Sequence, residues 1–158
     1  MEAIEDCRNN GHVYVEFRFC PHLLSNTVMD LYGDNCTNEE KVTPTDVLET
    51  VLEASKEAEI LYPNIKCRYI MCALWPFTHW TKELVDFCKQ YMDRGVVGLD
   101  IAGSPEQASK AEWKEVIEAF NDAKQSNINI TVHAGECQGP DSCVQVSNTQ
   151  LTVLSICY

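Results

Sequence analysis

N-I-N-I-T-V-H-A-G-E, residues 127–136, carries an alternating strand straight into a histidine and then a carboxylate. Ile128, Ile130 and Val132 share one face of a period-two strand, and Asn129, Thr131 and His133 share the other. With helices covering the outer face, the apolar set packs outward and His133 points inward at the strand's C-terminal end, where a barrel has its mouth. Gly135 permits a sharp turn there, and Glu136 follows three residues after the histidine. A neutral imidazole is a common zinc ligand, and a carboxyl group close to a metal but not on it suits general acid or base work. Taken alone, H-x-x-E serves a structural histidine equally well.

Upstream, H-V-Y-V-E-F-R-F-C (residues 12–20) sets Val13, Val15, Phe17 and Phe19 against Tyr14, Glu16, Arg18 and Cys20. Glu16 and Arg18 then fit either a polar barrel mouth or a half-exposed sheet face. His22 and Leu23 fall in the loop past Pro21, placed to line a pocket. Residues 25–41 read as a long polar loop, a lid or surface insertion. Thr43, Pro44 and Asp46 predict a helix start, and Val47, Leu48, Val51, Leu52, Ala58 and Leu61 form its apolar stripe. Residues 65–73 predict a second strand. In the loop after it, Trp75, Phe77, His79 and Trp80 read as packing beneath the loop rather than as an aromatic pocket.

Thr81 predicts another N-cap, with Leu84, Cys88 and Tyr91 buried and Gly95 as the stop. The third strand, residues 96–101, runs into L-D-I-A-G-S-P-E, where Asp100 lies opposite Leu99 and Ile101 and Gly103 admits close backbone approach. Ser109 and Glu112 predict a capping box on a helix that buries Trp113, Val116, Ile117 and Phe120. Strand and helix thus alternate through four βα units, the signature of a parallel sheet. Glu16, Arg18, His22, Asp100, Gly103, His133 and Glu136 all fall near strand C-terminal ends, the active-site side of a barrel.

Composition narrows the function classes. The 158 residues are 45% hydrophobic and 23% charged, the balance of a soluble globular domain. Twelve basic against twenty-four acidic residues give a net charge of −12, which repels phosphate backbones and excludes nucleic acid as a partner. No apolar run reaches membrane-spanning length, and the acidic opening M-E-A-I-E-D is unlike a signal peptide, so a cytoplasmic protein is expected. Nine scattered cysteines without a C-x-x-C pair predict reduced thiols rather than a disulfide framework or zinc ribbon.

Y-V-E-F-R-F-C-P-H-L-L (residues 14–24), G-L-D-I-A-G (98–103) and T-V-H-A-G-E (131–136), in that order and at these separations, resemble adenosine deaminase over about residues 3–145. The V-E-x-R-x-x-P-H-L-L stretch favours the adenosine enzymes over the relatives that act on methylated nucleotides and over the secreted growth-factor-like deaminases. The resemblance implies an α/β fold, a partial (β/α)8 TIM barrel of the metallo-dependent hydrolase type spanning strands two to five. It implies zinc-dependent hydrolytic deamination of adenosine to inosine and ammonia, with a zinc-bound hydroxide attacking the purine ring. His133 would be a zinc ligand, Glu136 the acid that protonates the ring nitrogen beside the attacked carbon, and the Gly103 backbone a contact to another ring nitrogen. Asp100 and Leu23 read as further substrate contacts. The H-x-E and P-C-x-x-C elements of the cytidine-type deaminases are absent.

The resemblance is partial. The family's metal site draws an H-x-H pair, a further histidine and an aspartate from strands this chain does not match, and a catalytic zinc needs at least three protein ligands. The expectation is therefore a barrel fragment over 1–145 with a divergent tail over 146–158. Zn²⁺, one per full-length chain, is not retained, and the fragment is inactive alone and self-associates through open sheet edges. The expected partner is a purine nucleoside, with neither nucleic acid nor membrane. The alternatives are a non-enzymatic truncated product that binds a partner or full-length relative, a deaminase of adenosine or methyladenosine monophosphate, and a metal-free half-barrel enzyme holding its ligand on Arg18 and the Gly103 loop.

Overall fold

A computed structural model describes residues 1–27, 41–106, 108–136 and the backbone of 156–157. Most of the predicted polar loop, residues 28–40, lies outside the described residues, as does the predicted tail apart from the strand Ile156–Cys157. The chain forms two compact units, Met1–Arg68 and Tyr69–Tyr158.

The first unit holds helix α1 (Glu2–Asn9), strand β1 (Tyr14–Phe19), the short helix α2 (Pro21–Leu24), helix α3 (Pro44–Leu61) and the start of strand β2 (Lys66–Leu74). The predicted start of α3 forms as a capping box. The Asp46 N–H donates to the Thr43 hydroxyl at 3.1 Å, and the Thr43 N–H donates to the Asp46 carboxylate at 2.8 Å. Val47, Leu48, Leu52 and Ala58 are buried, while Leu61, at the end of the stripe, is exposed. Glu59 ties the helix end to β2, accepting from the Cys67 N–H at 2.9 Å, Lys66 at 2.9 Å and Arg68 at 3.1 Å. Beside β1, the Lys66 N–H donates to the Val13 carbonyl at 2.9 Å.

The second unit continues β2 into a 3-10 turn (Trp75–Trp80), then helix α4 (Thr81–Tyr91), strand β3 (Val96–Ala102), helix α5 (Lys110–Gln125) and the short strands β4 (Asn129–Ile130), β5 (Val132–His133) and β6 (Ile156–Cys157). The strands follow sequence order, β1-β2-β3-β4, with β5 and β6 as a separate pair. β2 and β3 are parallel, as are β3 and β4 and also β5 and β6, which is the parallel α/β sheet expected of successive βα units. Met71, Leu99 and Ile101 from the sheet, Leu84 and Val85 from α4, and Val116 and Phe120 from α5 form the core. Lys89 and Asp122 join α4 to α5 at 2.7 Å. Among the described residues no helix is long and apolar enough to cross a membrane.

The aromatic loop packs as predicted. Trp75 and Trp80 are buried, Trp75 meets Trp113 with ring centroids 4.4 Å apart, and Phe77 stacks on Trp80 at 4.2 Å. The capping box of Ser109 and Glu112 also forms. Thr81 departs from expectation: it is the first residue of α4 and makes no cap bond, because the 3-10 turn runs directly into the helix and leaves Trp80 helical rather than extended. The single strand expected within 127–136, alternating from Ile128 to His133, is likewise divided. Asn129 and Ile130 pair with Gly98 and Leu99, the Thr131 N–H donates to the Leu99 carbonyl at 2.9 Å, and the next two residues pair with β6 instead.

Candidate functional site

At the C-terminal end of β3 the alternation of buried side chains turns Asp100 to the face opposite Leu99 and Ile101. Across β4 and β5 the same alternation buries Ile128, Ile130 and Val132 on one side and leaves His133 on the other. The two side chains meet: His133 Nδ1 lies 2.8 Å from Asp100 Oδ2, with the imidazole 22% exposed and the carboxylate wholly buried. The oxygen sits off the direction of an Nδ1–H, so the contact is a close electrostatic one rather than an aligned hydrogen bond. The β2 residue paired with Asp100 is Cys72, whose thiol lies 3.6 Å from the same Oδ2.

Two glycines follow these strands in left-handed conformations, Gly103 at φ +89° and Gly135 at φ +82°. Gly103 is exposed, and a Cβ there would sit 3.5 Å from Pro76 and 3.8 Å from Trp75, so the end of β3 runs close against the turn that follows β2. Gly135 redirects the chain and leaves Glu136 exposed.

The remaining predicted site residues lie in the first unit. Leu23 is 42% exposed and His22 is buried, both within α2 rather than in a loop. Cys20 Sγ is 3.9 Å from His22 Nδ1, and burial pushes the Cys20 thiol pKa up. Glu16 is exposed and accepts the Tyr14 hydroxyl at 2.6 Å, while Arg18 is half-buried. Sequence reading missed Cys72. Period-two alternation marks it as inward-facing, but its place beside Asp100 follows only from the register of β2 against β3. The described free cysteines are poor nucleophiles where they are deepest: burial pushes the Cys88 thiol up to about 12.

Among the described residues no three His, Cys, Asp or Glu side chains are grouped so as to hold a metal ion. His133 with its carboxylate partner resembles one histidine arm of a metal site, in which the second ring nitrogen is held by a carboxylate. One arm does not make a centre, so the described residues do not fit zinc by themselves and no chemical step is derived through it.

The family model described as adenosine deaminase matches residues 1–152. The chain belongs to the adenosine deaminase family. Mouse adenosine deaminase is 36% identical over 140 residues, covering 89% of this chain and 39% of that protein. The zebrafish (Danio rerio) adenosine deaminase is 37% identical over 145 residues, covering 91% and 39%. This member of the adenosine deaminase family therefore spans about two fifths of the length of the curated relatives it matches. The solved structures agree on the fold. Arabidopsis ADAL complexed with IMP superposes with a TM-score of 0.72 at 23% identity over 98% of this chain and 42% of that one. An amidohydrolase from Burkholderia ambifaria with bound Zn gives 0.74 at 19% identity, over 98% and 38%.

Proposed function

We propose that this chain is the substrate-facing part of a purine nucleoside aminohydrolase of the adenosine deaminase type, which converts adenosine and water to inosine and ammonia. The observation that carries the reading is the 2.8 Å approach of His133 to the buried Asp100 at strand C-terminal ends, with Gly103 and Glu136 in the turns just beyond. Glu136 protonates the ring nitrogen beside the attacked carbon, which makes that carbon electrophilic enough to accept the nucleophile. The Gly103 backbone, exposed and without a side chain of its own, contacts a second ring nitrogen. Asp100, with no surface of its own to offer, serves substrate through His133, whose ring it holds.

Zinc belongs in this reading to the complete barrel, with His133 as one of its ligands, so the isolated chain neither retains the metal nor turns over. It is a cytoplasmic protein, and it self-associates through its sheet edges. The test is to titrate the purified chain with inosine by calorimetry, and then to follow adenosine absorbance with zinc added. Weak inosine binding that falls in Glu136→Gln, with no conversion of adenosine, is the expected result. Absence of any purine nucleoside binding sinks the substrate reading. Turnover that depends on Glu136 sinks the account of the missing ligands.

A second reading has a phosphorylated substrate, and it draws on structural neighbours solved with IMP and GMP. Tighter binding of IMP than of inosine in the same titration would select it. A net charge of −12 argues against it, since added phosphate is repelled.

A further inference from the structure

We propose that Cys72 is a positioning residue of the site, its thiol holding Asp100 so that Oδ2 faces His133. This rests on the reading of His133 and Asp100 as site residues. Cys72 and Asp100 are paired neighbours on the parallel strands β2 and β3, so their side chains project to the same side of the sheet. The thiol donates to Oδ2 across 3.6 Å, and Oδ2 is also the oxygen 2.8 Å from His133 Nδ1. One carboxylate oxygen thus accepts from the thiol on one side and meets the close electrostatic approach of the imidazole on the other. Cys72 is 7% exposed and Asp100 is wholly buried, so no solvent competes freely for that oxygen.

The thiol has a single proton and a second acceptor, the Ala73 carbonyl, also at 3.6 Å. The carboxylate is the stronger acceptor, because a hydrogen bond gains most when one partner is ionised. Rotation of a carboxylate about its last bond exchanges the oxygen presented to a neighbour. Donation from Cys72 to Oδ2 opposes that rotation. The orientation of His133 is then set from a strand to which it is not hydrogen-bonded.

The experiment labels the histidine ring nitrogens of the full chain with 15N and compares wild type with Cys72→Ser, Cys72→Ala and Cys72→Val at one fixed pH. The His133 signals are assigned by their loss in His133→Gln. Val fills the site with apolar groups, one methyl larger than the thiol, and Ser keeps a donor, so folding is covered even if Ala fails to fold. In wild type and Cys72→Ser, His133 holds one ring tautomer. In Cys72→Val and Cys72→Ala its nitrogen shifts move toward a mixture of tautomers, while those of His12, His22 and His79 stay where they are. Unchanged His133 shifts in Cys72→Val overturn the proposal, and so do equal shifts in Ser and Val, which would mark a packing role. If the shifts move as expected but inosine fails to bind the wild-type chain, the functional reading falls and the positioning role stands.

Discussion

Gly98 sets how closely β3 and β4 approach. A Cβ at this position would lie 3.1 Å from the Asn129 carbonyl oxygen, so the β4 backbone must give by a few tenths of an ångström, while Ile70 at 3.7 Å is in ordinary contact. Gly98→Ala is therefore expected to destabilise the chain by about 1–3 kcal/mol, read as a lower urea midpoint with the m-value unchanged. An unaltered midpoint would mean that β4 moves aside at no cost. Asp100 and His133 were legible at this scale because alternation alone assigns each to a face of its strand. The distance between them was not, nor was the neighbouring Cys72, since both depend on which residues of separate strands stand side by side. The position of Glu136 was readable from the motif, but its exposure was not, because exposure is a property of everything folded around it.

Local chemistry decides the helices, and here the sequence reads well. Ser109 and Glu112 satisfy each other's backbone N–H groups at the start of α5, at 2.6 and 3.2 Å. Ser109→Ala is expected to cost about 1 kcal/mol at neutral pH in chemical denaturation. The Ser109 backbone N–H, helped by its hydroxyl, holds the Glu112 carboxyl below the ordinary carboxylate range. A carboxyl whose folded value is depressed stabilises the fold above its unfolded value and loses that contribution as pH falls through the folded one. Wild type should accordingly exceed Glu112→Gln in stability near neutrality, and the two curves should converge below the ordinary carboxylate range. A gap that persists into acid would assign the effect to something other than the charge. Thr81 misled for an equally local reason. A cap residue must be extended, but Trp80 before it has φ −79° and ψ −17°, so the preceding turn consumes the position where the cap would have formed.

For the whole molecule, the alternation of strand and helix made the parallel fold legible, and the three motifs made the family legible. The division of the last strand between two ladders was not, because residues 127–136 read as one alternating run and nothing within them names a new neighbour. Exposed apolar side chains such as Val13, Tyr14, Ile60 and Leu61 favour association, while the charge of −12 opposes it. Raising salt screens the repulsion and spares the apolar contact, so sedimentation should report a mass that grows with sodium chloride and with protein concentration. A monomer at every salt would leave those side chains without a binding role. His133 stands beyond the point where its strand leaves β3, in register with Cys157 rather than with the main sheet. The main chain that carries the imidazole is consequently anchored from the far side, as a rudder post is: a change along β6 shifts the backbone of this histidine without touching Asp100.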